Sequence, residues 1–563
     1  MNIFRIGLLL IASSTILISC ASSKVEQDAE ARKIELHSFQ ESITEDFLKE
    51  HLFVFAGDEM EGRGSGMPSI AKAAQYIADF NESIGLEPVG DDGSFFQHFD
   101  INATYLDGFT FSAYELSSDT TLLWQTDYTY NTSSDFMLSL GGQNPAQGEV
   151  IFTGFGAIDT ERGINQLEYE NLGGNWVMAF ADIPNIVEND TLINPSFNER
   201  ERLIESIFRK GAAGMILISD QNYDEFSEWA ILHSQRFGSP VSLGLPDRPA
   251  RQGFQSTVLT IRPERAAEIL GLGSREELFE KRDQIVDDLS SFETKSTGFF
   301  FRSEPMMRQK VIQEKNVAGL LRGGHPELKD EIIVLSAHYD HMGIGAPDEH
   351  GDVIYNGADD NGSGSIAIMN IAKAFSDARD AGIRPDRSIL FLHVAVEEWG
   401  LLGSRYYSDN PIFPIEQTVA NINVDMMGRR DREHEEKDDR DFVYIIGAEI
   451  ISSELDSMLH VGNERSANLR LDMRFNDLTD RNQFYRRSDH WNFGRLRVPF
   501  IFFFSGVHPD YHLPGDTPDK ILYDSLMKRA RVIYSTTVEI ANTPQRPRVD
   551  NEEFIRITET QAR

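Results

Sequence analysis

Four continuous apolar runs, rich in β-branched and aromatic residues, dominate the later part of the chain. A helical pattern lies between the first two runs, with apolar residues on one face from Ile368 to Phe375. Strands that are apolar on both faces and alternate with helices are typical of a mostly parallel sheet covered by helices. The predicted fold class is therefore α/β. The four runs are Ile332 to Ser336, Ile389 to Val396, Val419 to Val424 and Val498 to Phe504.

Possible metal ligands lie at or just beyond the ends of these strand-like runs. In an open parallel sheet, ligands bind beyond the carboxyl ends of the strands, so the fold would bring such side chains to one edge. Two imidazoles and three carboxylates suit a pair of zinc ions. We therefore predict a metal-dependent hydrolase that holds two Zn²⁺ per chain. The five predicted ligands are His338, Asp360, Glu398, Asp425 and His512.

Three neighbouring residues fit supporting roles at such a centre. Glu397 directly precedes Glu398 and has the chemistry of a general base. Asp340 follows His338 by two residues and is predicted to accept the second ring N–H of that histidine. Tyr511 directly precedes a predicted ligand and has a hydroxyl that can donate to a developing oxyanion.

Length, charge and cysteine content narrow the possible classes of protein. A chain of 563 residues is too long for one ordinary core, so two or three domains are expected. The net charge of −37 argues against a nucleic acid as a partner, because the phosphate backbone would be repelled. The single cysteine, Cys20, excludes an intramolecular disulfide and a cysteine-based zinc site, so His, Asp and Glu must hold any metal.

The first twenty residues have the pattern of an export signal. A positively charged start precedes an apolar run from Gly7 to Ser19, which is too short to span a bilayer. The run ends in Leu-Ile-Ser-Cys, which resembles a bacterial lipobox with Cys20 as the lipidated residue. We expect the protein to lie outside the cytoplasm, lipid-anchored to a bacterial membrane in the periplasm or at the cell surface.

Changes of composition along the chain predict its division into segments. Residues 106–300 contain short alternating runs, together with two buried strands from Asn175 to Ala181 and from Gly214 to Ser219 around a helix near Glu199 to Lys210. This pattern predicts an inserted α+β domain. The predicted segments are a signal peptide at 1–20, a polar tether at 21–43, the first part of the main domain at 44–105, the insert at 106–300, the catalytic domain at 301–543 and a C-terminal tail at 544–563.

Six short motifs resemble those of the M28 family of zinc aminopeptidases and related exopeptidases. The resemblance covers residues 316–540, and residues 45–100 resemble the N-terminal helices of the family. Residues 106–300 resemble a protease-associated (PA) domain. The motifs are HYDH, GADDNGSG, VEEWGLLGS, NVDMMG, RRSDHWNF and HPDYHLPGDTPDKI.

Carried over position by position, the resemblance implies a role for each site residue. His338 and Asp425 would bind one zinc ion, Glu398 and His512 would bind the other, and Asp360 would bridge them. Glu397 would act as the general base, Tyr511 and Arg487 would stabilise the oxyanion, and Asp340 and Asp489 would support the ligands. The implied activity is hydrolysis of peptide bonds at chain ends. The substrates would be peptides.

Three alternatives remain open at this stage. A glutaminyl cyclase-like acyltransferase resembles the same fold but uses one zinc ion, so five retained ligands favour hydrolysis. A non-catalytic peptide-binding lipoprotein would be expected to lack a ligand or the base. Another zinc amidohydrolase chemistry is compatible with the same ligands. Aminopeptidase activity is the foremost prediction, with carboxypeptidase and dipeptidase activity also possible.

Several other histidines and one glycine-rich motif are predicted to lie outside the metal centre. His341 and His508 are expected to be supporting or rim residues, and His434 lies in a charged stretch that is typical of a solvated loop. The motif EGRGSG at 61–66 lacks the flanking strand, the helix and the Lys-Ser/Thr ending of a phosphate-binding loop.

Overall fold

The computed structural model divides the chain into two compact units. The first unit lies within residues 1–100, 313–344 and 351–563, and the second comprises 101–312 and 345–350. The predicted insert at 106–300 falls inside the second unit. The predicted signal peptide and Cys20 lie outside the described residues. The structure describes residues 30–559 except 117–121, 130–134, 141–143, 160–162, 168–171, 182–183, 188–189, 194–196, 222–225, 227–239, 248–255, 346–347 and 349.

A mixed sheet forms the centre of the first unit. Among the described residues its eight strands, numbered along the chain, lie in the spatial order β7-β6-β8-β5-β3-β4-β2-β1, and β4, β3, β5 and β8 are parallel neighbours. The predicted α/β fold with a mostly parallel sheet is confirmed. The strands are β1 (Glu87–Pro88), β2 (residues 317–321 at the end of Lys295–Leu321), β3 (Ile332–His338), β4 (Ser388–Val394), β5 (Thr418–Val424), β6 (Phe442–Gly447), β7 (Arg470–Asp472) and β8 (Phe500–Phe504).

Helices cover this sheet, and the helix predicted from the periodicity of Ile368 to Phe375 is confirmed. The helix Glu45–Phe55 begins after Thr44, whose side chain accepts a hydrogen bond from the backbone N–H of Phe47. The long helix α3 buries nearly all of its length because it packs beneath the sheet. The helices are α1 (Glu45–Phe55), α2 (Pro68–Ser83), α3 (Gly364–Asp380), α4 (Leu402–Asp409), α5 (Arg432–Glu436), α6 (Ser453–Glu464), α7 (His490–Gly494), α8 (Tyr523–Asn542) and α9 (Glu552–Thr558).

The predicted polar tether is wrong for residues 30–43. Residues 30–38 are helical, and the side chains of Leu36 and Ile43 are fully buried. His37 Nε2 lies 2.8 Å from a carboxylate oxygen of Glu539 in α8. Two apolar anchors and one buried ion pair are enough to dock a segment whose composition is otherwise polar.

The predicted C-terminal tail also contains a docked element. Helix α9 begins after Asn551, whose side chain accepts hydrogen bonds from the first backbone N–H groups of the helix. Phe554 is fully buried and packs in a cluster with Ile451 and Phe500. The tail is therefore polar in composition but anchored by a buried aromatic side chain.

The second unit has its own sheet. Four of its strands are parallel neighbours, and the two buried strands and the helix predicted in this region are confirmed. The sheet order is Phe136–Leu140, Thr257–Ile261, Gly214–Ile218, Trp176–Phe180, Ala146–Phe152 and residues 295–303, with antiparallel pairing at both ends. Other elements are the strands Phe96–Leu116, Leu122–Thr129 and Pro240–Gly244 and the helices Phe197–Arg209, Pro263–Ile269 and Arg275–Asp287.

Within the part of the chain that the structure describes, no helix has the length and apolar character needed to cross a membrane.

Candidate metal centre

All five predicted ligands meet at one edge of the first unit's sheet. His338 is the last residue of β3, and Asp425 directly follows β5. Glu398 lies in the turn after β4, and His512 lies in the loop after β8. Asp360 lies in the turn that leads into α3. The strand register explains this convergence, because His338 pairs with Val394 and Val424 pairs with Phe503.

The distances from His338 and His512 to their neighbouring acids match those between two ligands of a tetrahedral zinc ion. Two ligands at a zinc–ligand distance of about 2.0–2.1 Å with tetrahedral angles lie about 3.3 Å apart. His338 Nε2 lies 3.3 Å from Asp360 Oδ1 and 3.4 Å from Asp425 Oδ1. His512 Nε2 lies 3.1 Å from both Asp360 Oδ2 and Glu398 Oε2. The Asp360 carboxylate therefore offers one oxygen to each group of donors.

In Glu398 and in Asp425, one carboxylate oxygen accepts a hydrogen bond from a neighbouring side chain. Glu398 Oε1 accepts from His341 Nδ1 at 2.8 Å, and Asp425 Oδ2 accepts from the Ser488 hydroxyl at 2.7 Å. Asp425 Oδ1 and His512 Nε2 are buried without a hydrogen-bond partner among the described residues. Each group of donors therefore contains three protein atoms, the number that catalytic zinc sites take from the protein.

Backbone hydrogen bonds fix the position of Asp360. The Asp516 carboxylate accepts from the backbone N–H of Asp360 at 3.0 Å and from that of Asp359 at 3.0 and 3.1 Å. The Asn361 side chain donates to the carbonyl oxygen of Val424, at the end of β5. The peptide bond between Asp360 and Asn361 is cis. Asp360 is thus tied to the strand end that carries Asp425.

The ring of His338 is oriented by a backbone group. Its Nδ1 lies 3.1 Å from the carbonyl oxygen of Asp340, which can only accept, so Nδ1 carries the hydrogen and the Nε2 lone pair faces the acids. The prediction that the Asp340 carboxylate accepts this hydrogen is wrong, because its Oδ1 lies 3.7 Å from Nδ1, beyond hydrogen-bond distance. That carboxylate instead accepts from the backbone N–H groups of Glu397 and Glu398 at 3.0 and 3.4 Å.

Glu397 lies beside both donor groups. One of its oxygens is within 4.8 Å of ligand atoms of His338 and Glu398. Burial raises the pKa of the Glu397 carboxyl well above its ordinary value, and the neighbouring carboxylates raise it further. A carboxylate in such a place binds a proton readily. This is the property a general base needs.

A known family matches the part of the chain that carries this site. Residues 316–537 match the model of Peptidase family M28. Over these residues the chain is similar to peptidase family M28. The match covers the strands β3, β4, β5 and β8 and all five predicted ligands.

Individual relatives support the family and the fold. Over 239 residues the chain is 28% identical to a probable leucine aminopeptidase of Arthroderma otae, covering 42% of this chain and 61% of that protein. Over 241 residues it is 23% identical to aminopeptidase YwaD of Bacillus subtilis, covering 42% and 46%. The chain thus spans less than two thirds of these relatives' lengths. The structure of an aminopeptidase from Aneurinibacillus sp. strain AM-1 has the same fold, with a TM-score of 0.50 at 16% identity over 92% of this chain and 97% of that one.

Tyr511 and Arg487, predicted to stabilise an oxyanion, lie near His512 and near Tyr511, respectively. The Tyr511 ring stacks on the His512 ring, with centroids 3.8 Å apart. Burial and the charges of Asp360 and Glu398 raise the pKa of Tyr511 well above its ordinary value, so its hydroxyl keeps the proton it could donate. Arg487 is exposed and lies over the Phe484 ring. Its positive charge acts to lower the pKa of Tyr511.

Two residues that hold ligands in place are missing from the sequence prediction. They are Ser488, which donates to Asp425, and Asp516, which holds the Asp360 turn. Ser488 lies in the motif RRSDHWNF and Asp516 lies in the motif HPDYHLPGDTPDKI. Their positions inside these motifs were the sequence signal that could have identified them. Asp489, predicted as a supporting residue, is fully buried, and burial raises its pKa to about 7 in spite of the nearby charge of His338.

Of the histidines outside the predicted ligand set, His434 differs in environment from the expectation. His434 is buried rather than solvated, since its ring stacks on Phe442 at 3.5 Å and its Nδ1 bonds Asp431 at 2.7 Å. His341 supports Glu398, as described above. His508 is also buried, with Nε2 3.5 Å from Asp359 Oδ2.

Proposed function

We propose that this chain is a di-zinc aminopeptidase that cleaves the peptide bond at the N-terminal end of a peptide. One observation carries the proposal: Asp360 presents one oxygen to His338 and Asp425 and the other to His512 and Glu398, with Glu397 left beside them. The aminopeptidase names of the M28 relatives support the same reading.

The residues present fit two zinc ions. His338, Asp425 and one oxygen of Asp360 would hold the first ion, and His512, Glu398 and the other oxygen of Asp360 would hold the second. When bound, zinc polarises a carbonyl group and lowers the pKa of water. The buried donor atoms Asp425 Oδ1 and His512 Nε2, which have no hydrogen-bond partner among the described residues, are consistent with this occupation.

The remaining steps belong to side chains of the protein. Glu397 takes a proton from the attacking water and delivers it to the amine that leaves, the task of a general base and then of a general acid. The Tyr511 hydroxyl donates a hydrogen bond to the carbonyl oxygen of the substrate as negative charge develops there. The backbone bonds from Glu397 and Glu398 to Asp340 keep the base and its neighbouring ligand in a fixed relation.

A direct test measures zinc content and then cleavage of free and blocked substrates. We expect about two zinc equivalents per chain, hydrolysis of amino-acid anilides with a free amine, and loss of activity on chelation that added zinc restores. N-acetylated anilides should be poor substrates. Binding of a single equivalent would favour the glutaminyl cyclase-like alternative, and cleavage of N-blocked peptides from the carboxyl end would replace the aminopeptidase proposal with a carboxypeptidase.

Exposed apolar side chains beside the site residues predict a preference for apolar substrates. Four large side chains that are 37% to 48% exposed lie next in sequence to His341, Glu398, His508 or His512; they are Met342, Trp399, Val507 and Leu513. Burying a substrate side chain against such groups is favourable. We expect kcat/KM for leucine or phenylalanine anilides to exceed that for aspartate anilides by about 10- to 100-fold.

A matched pair of variants tests the origin of this preference. Trp399→Ala should reduce the ratio of the two kcat/KM values, whereas Ile34→Ala removes an exposed apolar side chain from the helix at residues 30–38 and should leave that ratio unchanged. Equal rates for apolar and acidic substrates in the unaltered protein would contradict the prediction.

A further inference from the structure

The EGRGSG segment forms a tight loop against the metal centre. Three consecutive residues of the loop, Glu61, Gly62 and Arg63, have φ values of 47°, 64° and 49°. A Cβ atom on Gly62 would lie 2.4 Å from the carbonyl oxygen of Tyr355 and 2.5 Å from that of Gly343. Because no side chain fits there, the loop backbone sits directly on the segments that follow β3 and precede Asp360.

The Arg63 side chain is fully buried and joins the two segments that carry His338 and Asp360. Its Nε donates to the carbonyl oxygen of Tyr339 at 2.9 Å. Its Nη1 and Nη2 donate to the carbonyl oxygens of Asn356 and Gly357 at 2.7 and 2.8 Å. A second bond from Nη1 reaches the carbonyl oxygen of Phe55 at the end of α1. One planar guanidinium therefore spans both ligand-bearing segments.

The same loop also contacts the acids of the Glu397–Glu398 turn indirectly. The backbone carbonyl of Arg63 accepts from the N–H of His341, the residue that holds Glu398. The Ser65 hydroxyl donates to Asp340 Oδ2 at 2.8 Å, and Asp340 in turn holds the backbone of Glu397 and Glu398. The loop is thus connected to the segments that carry His338, Asp360 and Glu398.

The positive charge of Arg63 lies near several buried carboxylates. The carboxylates of Asp516, Asp340, Asp360 and Glu398 act on it electrostatically. Burial lowers the pKa of Arg63 to about 10, so the group stays positively charged at neutral pH. A buried cation bonded only to neutral carbonyl groups in these contacts is costly unless nearby acids offset it. The nearby acids therefore stabilise the buried charge of Arg63.

We infer that Arg63 is a positioning residue for zinc: it holds the segments of His338 and Asp360 at the separation that simultaneous binding of two cations requires. This inference rests on the proposed di-zinc function. It gives the EGRGSG loop, which contains none of the five predicted ligands, a role in zinc binding. Supporting groups that orient metal ligands commonly change metal affinity by about 10- to 100-fold when removed.

The test compares zinc affinity of the full chain in three forms by titration against a competing chelator. Arg63→Lys keeps the charge but has one nitrogen with three N–H groups, so it cannot bond all four carbonyl groups. This variant should bind at least one zinc about 10- to 100-fold more weakly, with kcat restored in part by high zinc. Arg387→Lys is the control. Arg387 is equally buried and donates to the carbonyl oxygens of Ile540 and Pro544, but it precedes β4 at the opposite end of the strand from Glu397. This variant should lose stability while its zinc affinity stays within about 2-fold of the unaltered protein.

The outcomes separate the inference from the function on which it rests. If the unaltered protein binds no zinc, the proposed function fails. If it binds two ions and Arg63→Lys binds them with unchanged affinity, or if both arginine variants lose affinity equally, the positioning role is wrong. Should Arg63→Lys not fold, Ser65→Ala removes only the bond to Asp340. It should retain zinc while lowering kcat about 10-fold with little change in KM, and an unchanged kcat would overturn the role of the loop.

Discussion

Replacing Glu397 by glutamine is expected to leave zinc bound and to lower kcat by about 10²- to 10⁴-fold. Glutamine keeps the size of the side chain and the backbone bond to Asp340, but it cannot accept and return a proton. The donor atoms that lie 3.1–3.4 Å apart come from other residues, so the cation sites stay complete. Zinc content by elemental analysis and kcat on an amino-acid anilide measure the two effects separately.

The adjacent acid provides the control for this prediction. Glu398→Gln makes the same isosteric change one residue further along, at a side chain whose Oε2 faces His512 Nε2 at 3.1 Å. That variant should lose zinc from the His512 side of the site. If Glu397→Gln loses zinc instead, Glu397 is a ligand rather than a base, a role its position near His338 and Glu398 also permits.

Replacing Asp360 by asparagine is expected to weaken both cation sites at once and to lower kcat/KM by about 10³-fold or more. The two Asp360 oxygens lie 3.3 Å from His338 Nε2 and 3.1 Å from His512 Nε2, and an amide keeps only one of these acceptors. Metal-ion stabilisation of the transition state contributes several kcal/mol, and each 1.4 kcal/mol is a factor of ten. Zinc titration should show two weakened sites rather than one.

A surface acid on the same helical segment is the matched control. Asp380 ends α3, which begins just after the Asp360 turn, and Asp380→Asn removes the same charge from an exposed position. That variant should retain both zinc ions and full activity. Loss of a single zinc in Asp360→Asn, with the other bound normally, would contradict the bridging position of Asp360.

The corrected predictions show where composition misleads. Residues 30–43 and 552–558 look like a tether and a tail because most of their side chains are polar. Leu36, Ile43 and Phe554 are nevertheless fully buried, and a few apolar anchors are enough to dock a short segment. His434 lies in a charged stretch but is buried because Phe442 and Asp431 cover and bond it.

The order of residues alone determined the sheet and the set of donor side chains. Long apolar runs specify buried parallel strands, and parallel strands place their carboxyl ends at one edge, so acids and histidines after those runs had to converge. Only the tertiary structure decided how each oxygen is used. Ser488 holds Asp425, His341 holds Glu398 and a backbone carbonyl orients His338. Hydrogen-bond direction depends on atomic positions a few tenths of an ångström apart, which residue spacing does not encode.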